Sequence, residues 1–413
     1  MTTSPIGTED MSNPTVAIKV ARGAFVKVTP PATAYALPLR IEVEKGRSFS
    51  FLLPCQHLKQ IVLKLHAPAL VRAGRGAMMT PMNVATGYGR SFLAPLLGDP
   101  VLRAPQAGAT LILQSESRSQ RKSLRKELKI LALFGLGAHT AYREADAGLV
   151  LGFSAVPPHP SAHRTPDLKL GIVAHLHFTD VWADIEASLR CIPHPFGLIV
   201  TLTAADPELE RSITASFPGA DIRIVPNVGR DVRPFMALLD EGALDGFDLV
   251  CKIHGKKSLR DGRPTALGDL WRRSALYDLI AGPGRLDEVL TRFESDAGLG
   301  LLGPERFRVP NERFTAHDAW SGNRAETLAL AERLGIIASR FDLDFFAGTM
   351  FWARPAALKL LRGAGLGEPD TYAPEAGRTD GAVEHALERL FTTGARAAGF
   401  SLGALPPLPD ARS

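Results

Sequence analysis

The sequence predicts an α/β protein in which a mostly parallel sheet flanked by helices follows a smaller, β-rich N-terminal domain. Up to about Leu70, short runs alternate apolar and polar residues, as half-buried antiparallel strands do. Beyond a proline-rich segment, apolar runs alternate with amphipathic helical segments, which is the pattern of βαβ units. A chain of 413 residues is long enough for two such domains.

The composition excludes several classes of protein. Hydrophobic residues at 45% and charged residues at 22% argue against a disordered or fibrous chain. The net charge of +5 is spread along the chain, so we expect no nucleic-acid partner, whereas small phosphate-bearing molecules and an anionic membrane face fit it. Three cysteines without metal-ligand spacing fit a reducing compartment.

The chain start and the apolar runs predict where the protein works. Residues 1–14 lack the apolar centre of a signal peptide and are predicted to be a disordered leader. No apolar stretch approaches the roughly 18 residues that a membrane span needs. We therefore expect a cytoplasmic protein, either soluble or bound peripherally to the inner face of the cytoplasmic membrane.

The N-terminal domain is predicted over residues 15–155. Runs such as FVKVTP, LRIEVEKG, FSFLLP and IVLKL, broken by Pro and Gly, indicate strands of a small antiparallel sandwich or barrel. Residues 71–115 are rich in Gly, Ala, Pro and Met, show no clear period and are left unassigned.

A basic amphipathic helix is predicted over residues 117–134. It spaces Leu124, Leu128 and Leu131 on one face. The rest of its surface is basic: Arg118, Arg121, Lys122, Arg125, Lys126 and Lys129. Either the helix holds the protein on an anionic membrane, or its leucines pack on the N-terminal sheet while the basic residues face water.

The second domain is predicted over residues 168–405, after a proline-rich linker at 156–167 and before a flexible tail at 406–413. Its first four strands are predicted at 168–175, 196–203, 221–225 and 248–253. Ligands of such sheets bind beyond the carboxyl ends of the strands, so the residues that follow each strand are the candidates for a site.

Polar residues of the kinds that bind a nucleotide diphosphate follow three of these strands. They are His175 after the first, Asn227, Gly229, Arg230 and Asp231 after the third, and His254, Lys256 and Lys257 after the fourth. Arginine offers a planar fork, and clustered lysines neutralise phosphate charge. The alternatives are a capped turn with a solvated arginine in PNVGRDV and a solvated basic loop in KIHGKKS.

The segment FFAGTMFWARP places a glycine inside an aromatic strand. Gly348 there permits the close approach of another group. Phe351 and Trp352 are candidates for a platform under a sugar ring, with core packing as the alternative.

The segment TDGAVEHALERLF places two carboxylates one helical turn apart. Asp380 and Glu384 can face one cleft, with His385 and Arg389 near them. Asp380 as the N-cap of the helix is the alternative.

Taken together and in order, these segments resemble the rhamnan synthesis protein F family of polysaccharide-assembly glycosyltransferases. The matching text is GIVAHLHFTD, LIVTLT, PNVGRDVRPF, DLVCKIHGKKS, DLWRRSALYDLI, GLGLLGPE, FFAGTMFWARP and DGAVEHALERLF, which spans nearly all of residues 168–404. The resemblance implies sugar transfer, with rhamnose as the namesake sugar, from a nucleotide-sugar donor to a glycan or lipid-linked glycan acceptor. The product would be a growing polysaccharide or lipopolysaccharide O-chain. The alternative is a non-catalytic carbohydrate-binding or assembly subunit.

The resemblance also assigns roles. It implies catalysis by Asp380 or Glu384, donor binding by the residues after the strands, and acceptor binding by Gly348, Phe351, Trp352 and Arg389.

The layout is similar to the single-sheet GT-A architecture, whose metal-binding Asp-x-Asp pair would stand where this chain has His254-Gly-Lys-Lys. We therefore expect catalysis without a metal or other cofactor, with Asp342 and Asp344 as the fallback metal ligands.

Overall fold

The computed structural model describes residues 16–43, 47–136, 150–151, 168–260, 262–337, 341–374 and 380–407. These residues form two compact units. The first unit takes the described residues up to 151 together with Lys256–Ser274, and the second takes those of 168–255 and 275–407. The predicted leader and linker, and most of the predicted tail, lie outside the described residues.

The N-terminal part of the first unit, residues 16–136, contains two antiparallel sheets and two long helices. Its elements are β1 (Val16–Val20), β2 (Phe25–Thr29), β3 (Ala36–Val43), β4 (Arg47–Pro54), β5 (Gln60–Leu65), β6 (Ala69–Ala73), β7 (Met78–Met82), α1 (Val84–Leu97), β8 (Val101–Ala104), β9 (Ala109–Gln114) and α2 (Arg118–Leu133). One sheet has the order β1-β6-β3-β4 and the other β7-β2-β5-β9-β8.

The two sheets bury one core between them. Leu39 and Ile41 of β3 meet Ile61 and Leu63 of β5 in one apolar cluster. Alternate side chains of a strand point to opposite faces, so each run of alternating apolar residues buries one face. The alternating segments of the sequence therefore form a β-sandwich.

The stretch 71–115, for which the sequence pattern predicted no secondary structure, contains β7, α1, β8 and β9. Helix α1 begins where the Asn83 side chain accepts a hydrogen bond of 2.9 Å from the Ala85 amide. It ends at Gly98, whose φ of 76° is the left-handed conformation typical of a helix C-terminus.

The second unit is built on a seven-stranded sheet of order β12-β11-β10-β13-β19-β16-β20. These strands are β10 (Leu170–Leu176), β11 (Phe196–Leu202), β12 (Asp221–Ile224), β13 (Leu249–His254), β16 (Leu299–Pro304), β19 (Phe351–Ala353) and β20 (Ser401–Leu405). Strand β19 runs antiparallel to both of its neighbours, and the other described pairings in this sheet are parallel.

Helices and two further short strand pairs complete the chain. The helices are α3 (Trp182–Leu189), α4 (Pro207–Ser216), α5 (Val232–Asp240), α6 (Ala266–Leu276), α7 (Arg285–Ser295), α8 (Ala316–Trp320), α9 (Arg324–Arg333) and α10 (Val383–Ala397). The short strands are β14 (Leu259–Arg260), β15 (Arg263–Pro264), β17 (Arg308–Val309) and β18 (Phe345–Phe346). None of the helices in the described ranges is long and apolar enough to cross a membrane.

Helices α5 and α10 pack on the seven-stranded sheet beside its antiparallel strand. Phe235 of α5 lies edge-on to Phe351 of β19 and to Phe391 of α10, with ring centroids 6.3 and 5.9 Å apart. Strand β10 is buried along its whole length, as expected for a parallel strand covered on both faces. This packing brings the start of α5, the end of β13 and the first turns of α10 together.

Candidate active site

A buried lysine lies at the centre of the second unit. The Lys252 side chain, in the middle of β13, is 1% exposed. Its Nζ donates to the Asp231 carboxylate, to the Thr349 hydroxyl at 3.0 Å and to the Thr349 carbonyl at 3.1 Å. Burying a charge is costly unless it is paired and hydrogen-bonded, so Asp231 and Thr349 are what allow a lysine here.

Asp231 directly precedes α5 and is held as a carboxylate. Burial alone would raise its pKa, but the proximity of His254 and Lys252 and the hydrogen bonds from Lys252 and Thr349 outweigh burial and hold the pKa well below the usual range. Its Oδ2 accepts hydrogen bonds from both Lys252 and Thr349, so Asp231 acts as the counter-ion of Lys252 and not as a proton acceptor.

Two histidines lie side by side on β10 and β13. His175 is paired in register with His254. The His254 Nε2 lies 2.7 Å from the Gly348 carbonyl oxygen and 3.9 Å from Asp231 Oδ2. His175 Nδ1 lies 2.9 Å from the Thr201 hydroxyl, and burial lowers the pKa of His175 to about 3, so its ring is neutral at physiological pH.

The turn before β19 has a strained backbone. Gly348 has a φ of 87° and Thr349 a φ of 51°, which a β-branched residue rarely adopts. The Gly348 amide donates to Glu388 Oε1 at 2.6 Å, and Lys252 holds the other side of the turn. Such strain persists only where the surroundings over-determine it, and it is concentrated at functional sites. We call Asp231, Lys252, His254, Thr349 and Glu388 the charged cluster.

Arg230 lies next to this cluster and joins two of the predicted motifs. Its Nη1 is 3.1 Å from His385 Nε2, and its Nε is 3.9 Å from Glu384 Oε1. The Arg230 side chain is 37% exposed, and its φ of 52° makes it a second strained residue beside Asp231. Gly229 is required before it, because a Cβ there would lie 2.5 Å from Arg233 Cβ. The PNVGRDV and EHALER segments therefore meet.

Asp380 lies in a separate network. Its carboxylate accepts hydrogen bonds from the Ser321 hydroxyl, the Gly322 amide at 2.6 Å and the Asn323 side chain. Partial burial would raise the pKa of Asp380, but these hydrogen bonds lower it. The N-cap of α10 is Ala382, which has no capping side chain, so the alternative of Asp380 as that cap is wrong.

The aromatic residues predicted to form a sugar platform are core residues. Phe351 is 1% and Trp352 is 0% exposed, and the Trp352 indole donates to the Leu279 carbonyl at 3.0 Å. A fully buried ring cannot stack on a sugar, so the structure contradicts the platform and favours core packing. Arg389, also assigned to the acceptor, is buried and donates to the Ala319 carbonyl at 2.9 Å.

The remaining donor candidates are placed as follows. Asn227 is exposed in the loop before Gly229. Lys256 and Lys257 are half-buried and belong to the first unit. There the Lys256 Nζ lies 4.4 Å from the centre of the Trp271 ring.

The fallback metal ligands are engaged by arginines. Asp344 accepts a two-pronged interaction from Arg308, at 2.8 and 2.7 Å, and a further hydrogen bond of 2.6 Å from Arg396. Asp342 also pairs with Arg396. Among the described residues, no group of three or more His, Cys, Asp or Glu side chains could hold a metal ion.

The sequence did not single out Lys252, Thr349 or Glu388. Lys252 had a visible signal, because it is a lone charge within the apolar strand LVCKIH. Glu388 had a weaker one, one helical turn after Glu384. Thr349 had none, because its contact with Lys252 joins residues 97 positions apart.

Known proteins resemble more than half of this chain. Two curated relatives from Xanthomonas campestris pv. campestris, strains B100 and ATCC 33913, are both called uncharacterized protein WxcX and are 32% identical to this chain over 238 residues. The match covers 55% of this chain and 32% of each relative, so the chain spans about a third of the length of the curated relatives it matches.

The crystal structure of S. aureus TarS 1-349 aligns over 59% of each chain with 12% identity and a TM-score of 0.31, which is too weak a likeness to support an argument. The family model described as rhamnan synthesis protein F matches residues 138–400, more than half of the chain. The chain therefore belongs to the rhamnan synthesis protein F family.

Proposed function

We propose that this protein is a glycosyltransferase that moves a sugar from a nucleotide-sugar donor to a growing cell-surface polysaccharide or lipopolysaccharide O-chain. The observation that carries the proposal is the charged cluster, which reaches the carboxyl end of β13 at His254, in a chain of the rhamnan synthesis protein F family. Ligands of open α/β sheets bind at that edge. The sheet, parallel except for β19, is compatible with a GT-A-like domain.

Arg230 is the residue best suited to the donor phosphates. Its guanidinium is partly exposed, and a planar fork matches the oxygens of a diphosphate. Lys252 and Asp231 neutralise each other inside the fold, whereas the Arg230 side chain is 37% exposed and can present positive charge to a ligand. Asn227, His175, Lys256 and Lys257 remain donor candidates on sequence alone.

Glu384 is the residue best suited to act as the base. Its carboxylate lies 3.9 Å from Arg230 Nε, near the proposed phosphate position, whereas Asp380 is already hydrogen-bonded to the segment Ser321–Asn323. In the proposed step Glu384 takes the proton of the acceptor hydroxyl as its oxygen bonds to the sugar anomeric carbon. The bond from that carbon to the phosphate oxygen breaks, and the leaving nucleoside diphosphate carries its new charge towards Arg230.

A non-catalytic carbohydrate-binding or assembly subunit is the second candidate. The observation that favours it is the engagement of Asp231 and Asp380 by protein donors, which leaves neither carboxylate poised to take a proton. Glu384 is the residue that distinguishes the two functions.

The test is donor turnover by the full chain. Purified protein is incubated with dTDP-, UDP- and GDP-sugars, and we expect release of nucleoside diphosphate with one nucleotide base. The same donor should raise the melting temperature, because a ligand that binds only the folded state stabilises it. Arg230→Gln should lose both effects, whereas Arg211→Gln, a matched change at an exposed arginine on α4, should keep them. Glycan binding without turnover of any donor would support the second candidate.

A further inference from the structure

Helix α1 turns its large apolar side chains to the solvent. Phe92 is 75% and Leu96 72% exposed, and together with Val84 and Tyr88 they recur every four residues along one side of the helix. We call the exposed residues the apolar face of α1: Val84, Tyr88, Phe92, Leu93, Leu96 and Leu97, with Met78 of β7.

The side of α1 that packs on the sandwich is made of small residues. Gly87 and Ala94 are its buried residues, and a Cβ on Gly87 would lie 2.3 Å from the Phe25 ring. Ala94 packs with Phe25, Val62 and Ile112 on the outer surface of the five-stranded sheet. Surface helices normally bury their large apolar residues. An exposed apolar patch of this kind marks an interaction site.

The leucines of α2 are not available for such an interaction. Leu124 and Leu131 are buried, and Leu124 belongs to the core of the sandwich. Of the two interpretations of this helix, membrane anchoring through its leucines is wrong and packing on the N-terminal sheet is what the structure has.

The basic residues of α2 begin where the apolar face of α1 ends. Arg125 donates to the carbonyl of Gly98, the residue that ends α1, and Arg121 lies 3.8 Å from the adjacent Asp99. Five basic side chains of α2 are exposed: Arg118, Lys122, Arg125, Lys126 and Lys129. Helix α1 itself contains no acidic residue, and Arg90 is its one charged residue.

We infer that the first unit docks on an anionic phospholipid bilayer, with the apolar face of α1 in the interfacial region and the exposed basic residues of α2 on the headgroups. Aromatic and leucine side chains beside lysines and arginines are the composition of interfacial helices. Anionic headgroups complement the charge of α2. This inference does not depend on sugar transfer.

A second copy of the chain fits this surface less well. Self-association through α1 would bring two sets of like charges together, which is unfavourable. The apolar face has seven residues, whereas a stable protein interface uses about 20–30 residues a side.

Vesicle co-sedimentation of the full chain tests the inference. Phosphatidylcholine vesicles with and without phosphatidylglycerol are compared at low salt, and we expect binding to the anionic vesicles. Phe92→Ser with Leu96→Ser should weaken that binding about tenfold or more, because two apolar side chains no longer leave water. Ile224→Ser with Ile337→Ser is the matched control, also at exposed apolar positions, and should bind as the wild type does. Lys122→Gln with Lys126→Gln should weaken binding and its salt dependence.

Three results would overturn the inference. One is no binding to anionic vesicles at low salt. Another is binding as strong as the wild type's by the double variant Phe92→Ser with Leu96→Ser. That result would mean that α2 contacts the headgroups electrostatically and that α1 does not insert. The third is a dimer, seen by light scattering, that the same variant dissociates. Unchanged circular dichroism and melting of the variants would show that the sandwich is intact.

Discussion

Two lysines occupy similar positions in two apolar strands and have different environments. Lys64 lies in QIVLKL of β5, and Lys252 lies in LVCKIH of β13. Lys64 is half-buried, with its Nζ 4.5 Å from the centre of the Tyr88 ring on α1. Lys252 is enclosed, and its ammonium is bound by Asp231 and Thr349.

The difference follows from the sheets. A strand of an antiparallel sandwich buries one face and can leave the other near water, whereas a central strand of a mostly parallel sheet is covered on both faces. A lysine in the first kind of strand extends along an apolar surface to reach solvent. A lysine in the second kind of strand needs a counter-ion. Lys252 of β13 therefore binds Asp231, which follows the strained residue Arg230, and it also binds the strained residue Thr349.

The same substitution at the two lysines should therefore have unequal effects, and this is the largest effect we predict. Lys252→Met should destabilise the second unit by about 3–5 kcal/mol, because Asp231 is left as a buried, unpaired charge. Lys64→Met should stay within about 1 kcal/mol of the wild type, because the lysine loses only its cation–π contacts with the Phe25 and Tyr88 rings. Urea unfolding followed by circular dichroism measures both.

A double variant separates charge from packing at the same site. Lys252→Met with Asp231→Asn removes both charges and should recover part of the lost stability, even if the single variant does not fold. Equal stability losses at Lys64 and Lys252 would show that the buried pair is not the feature that distinguishes the two sheets.

The second prediction concerns the two carboxylates of the site. Glu384→Gln should lower turnover by about 10²-fold or more, the typical loss on removing a general base. Asp380→Asn should lower it less than tenfold, because the Asp380 carboxylate is already hydrogen-bonded to the segment Ser321–Asn323. Steady-state kinetics on the same acceptor compares them. The reverse ranking would transfer the role of base to Asp380.

The third prediction uses two histidines that each contact a threonine hydroxyl. His66 in the first unit is exposed and lies 3.0 Å from Thr110, whereas His175 is buried and lies 2.9 Å from Thr201. The folded-state pKa of His175, about 3, is below the unfolded value of about 6.5, so the unfolded state binds the proton between these values. Stability should therefore fall with decreasing pH below about 6.5, by up to about 1.4 kcal/mol per pH unit.

Asparagine at each histidine provides the control. His175→Asn keeps an amide near Thr201 and removes the titrating ring, so unfolding midpoints from pH 6.5 to 4.5 should become less dependent on pH. His66→Asn is the matched substitution at the exposed histidine. The low pKa of Asp231 contributes only at more acidic pH, because its stabilisation is lost below the ordinary carboxyl range. An unchanged slope in His175→Asn would contradict the assignment.

The sequence predicts the second unit better than the first because its strands are short, continuous apolar runs separated by helical segments. Strands β10 to β13 were expected within two residues of their observed bounds, and the rule that sites follow strands selected Arg230, Asp231 and His254, which the structure brings close together. The region around α1 gave no signal, because a helix that buries Gly87 and Ala94 and exposes its large residues has no usual hydrophobic period.

The charged cluster was only half predictable for a different reason. A sequence shows that Lys252 is a charge in an apolar strand but not which residue compensates it. The compensating residues come from the start of α5 and from the turn before β19, and only packing brings them together. For the same reason Phe351 and Trp352 looked like a platform for a sugar, although the fold places both in its core.

The smallest effect we predict is that of removing metal ions. The one Asp-x-Asp pair of the second unit, Asp342 and Asp344, is already neutralised by Arg308 and Arg396, and Asp231 is neutralised by Lys252. Both oxygens of Asp344 are bound by guanidinium groups and one oxygen of Asp342 is bound by Arg396, so a divalent cation would first have to break those ion pairs. Donor turnover should therefore be unchanged in EDTA. Two results together would show that these aspartates bind a metal after all. Turnover would be lost in EDTA and restored by manganese or magnesium in the wild type, and the metal would fail to restore it in Asp344→Asn.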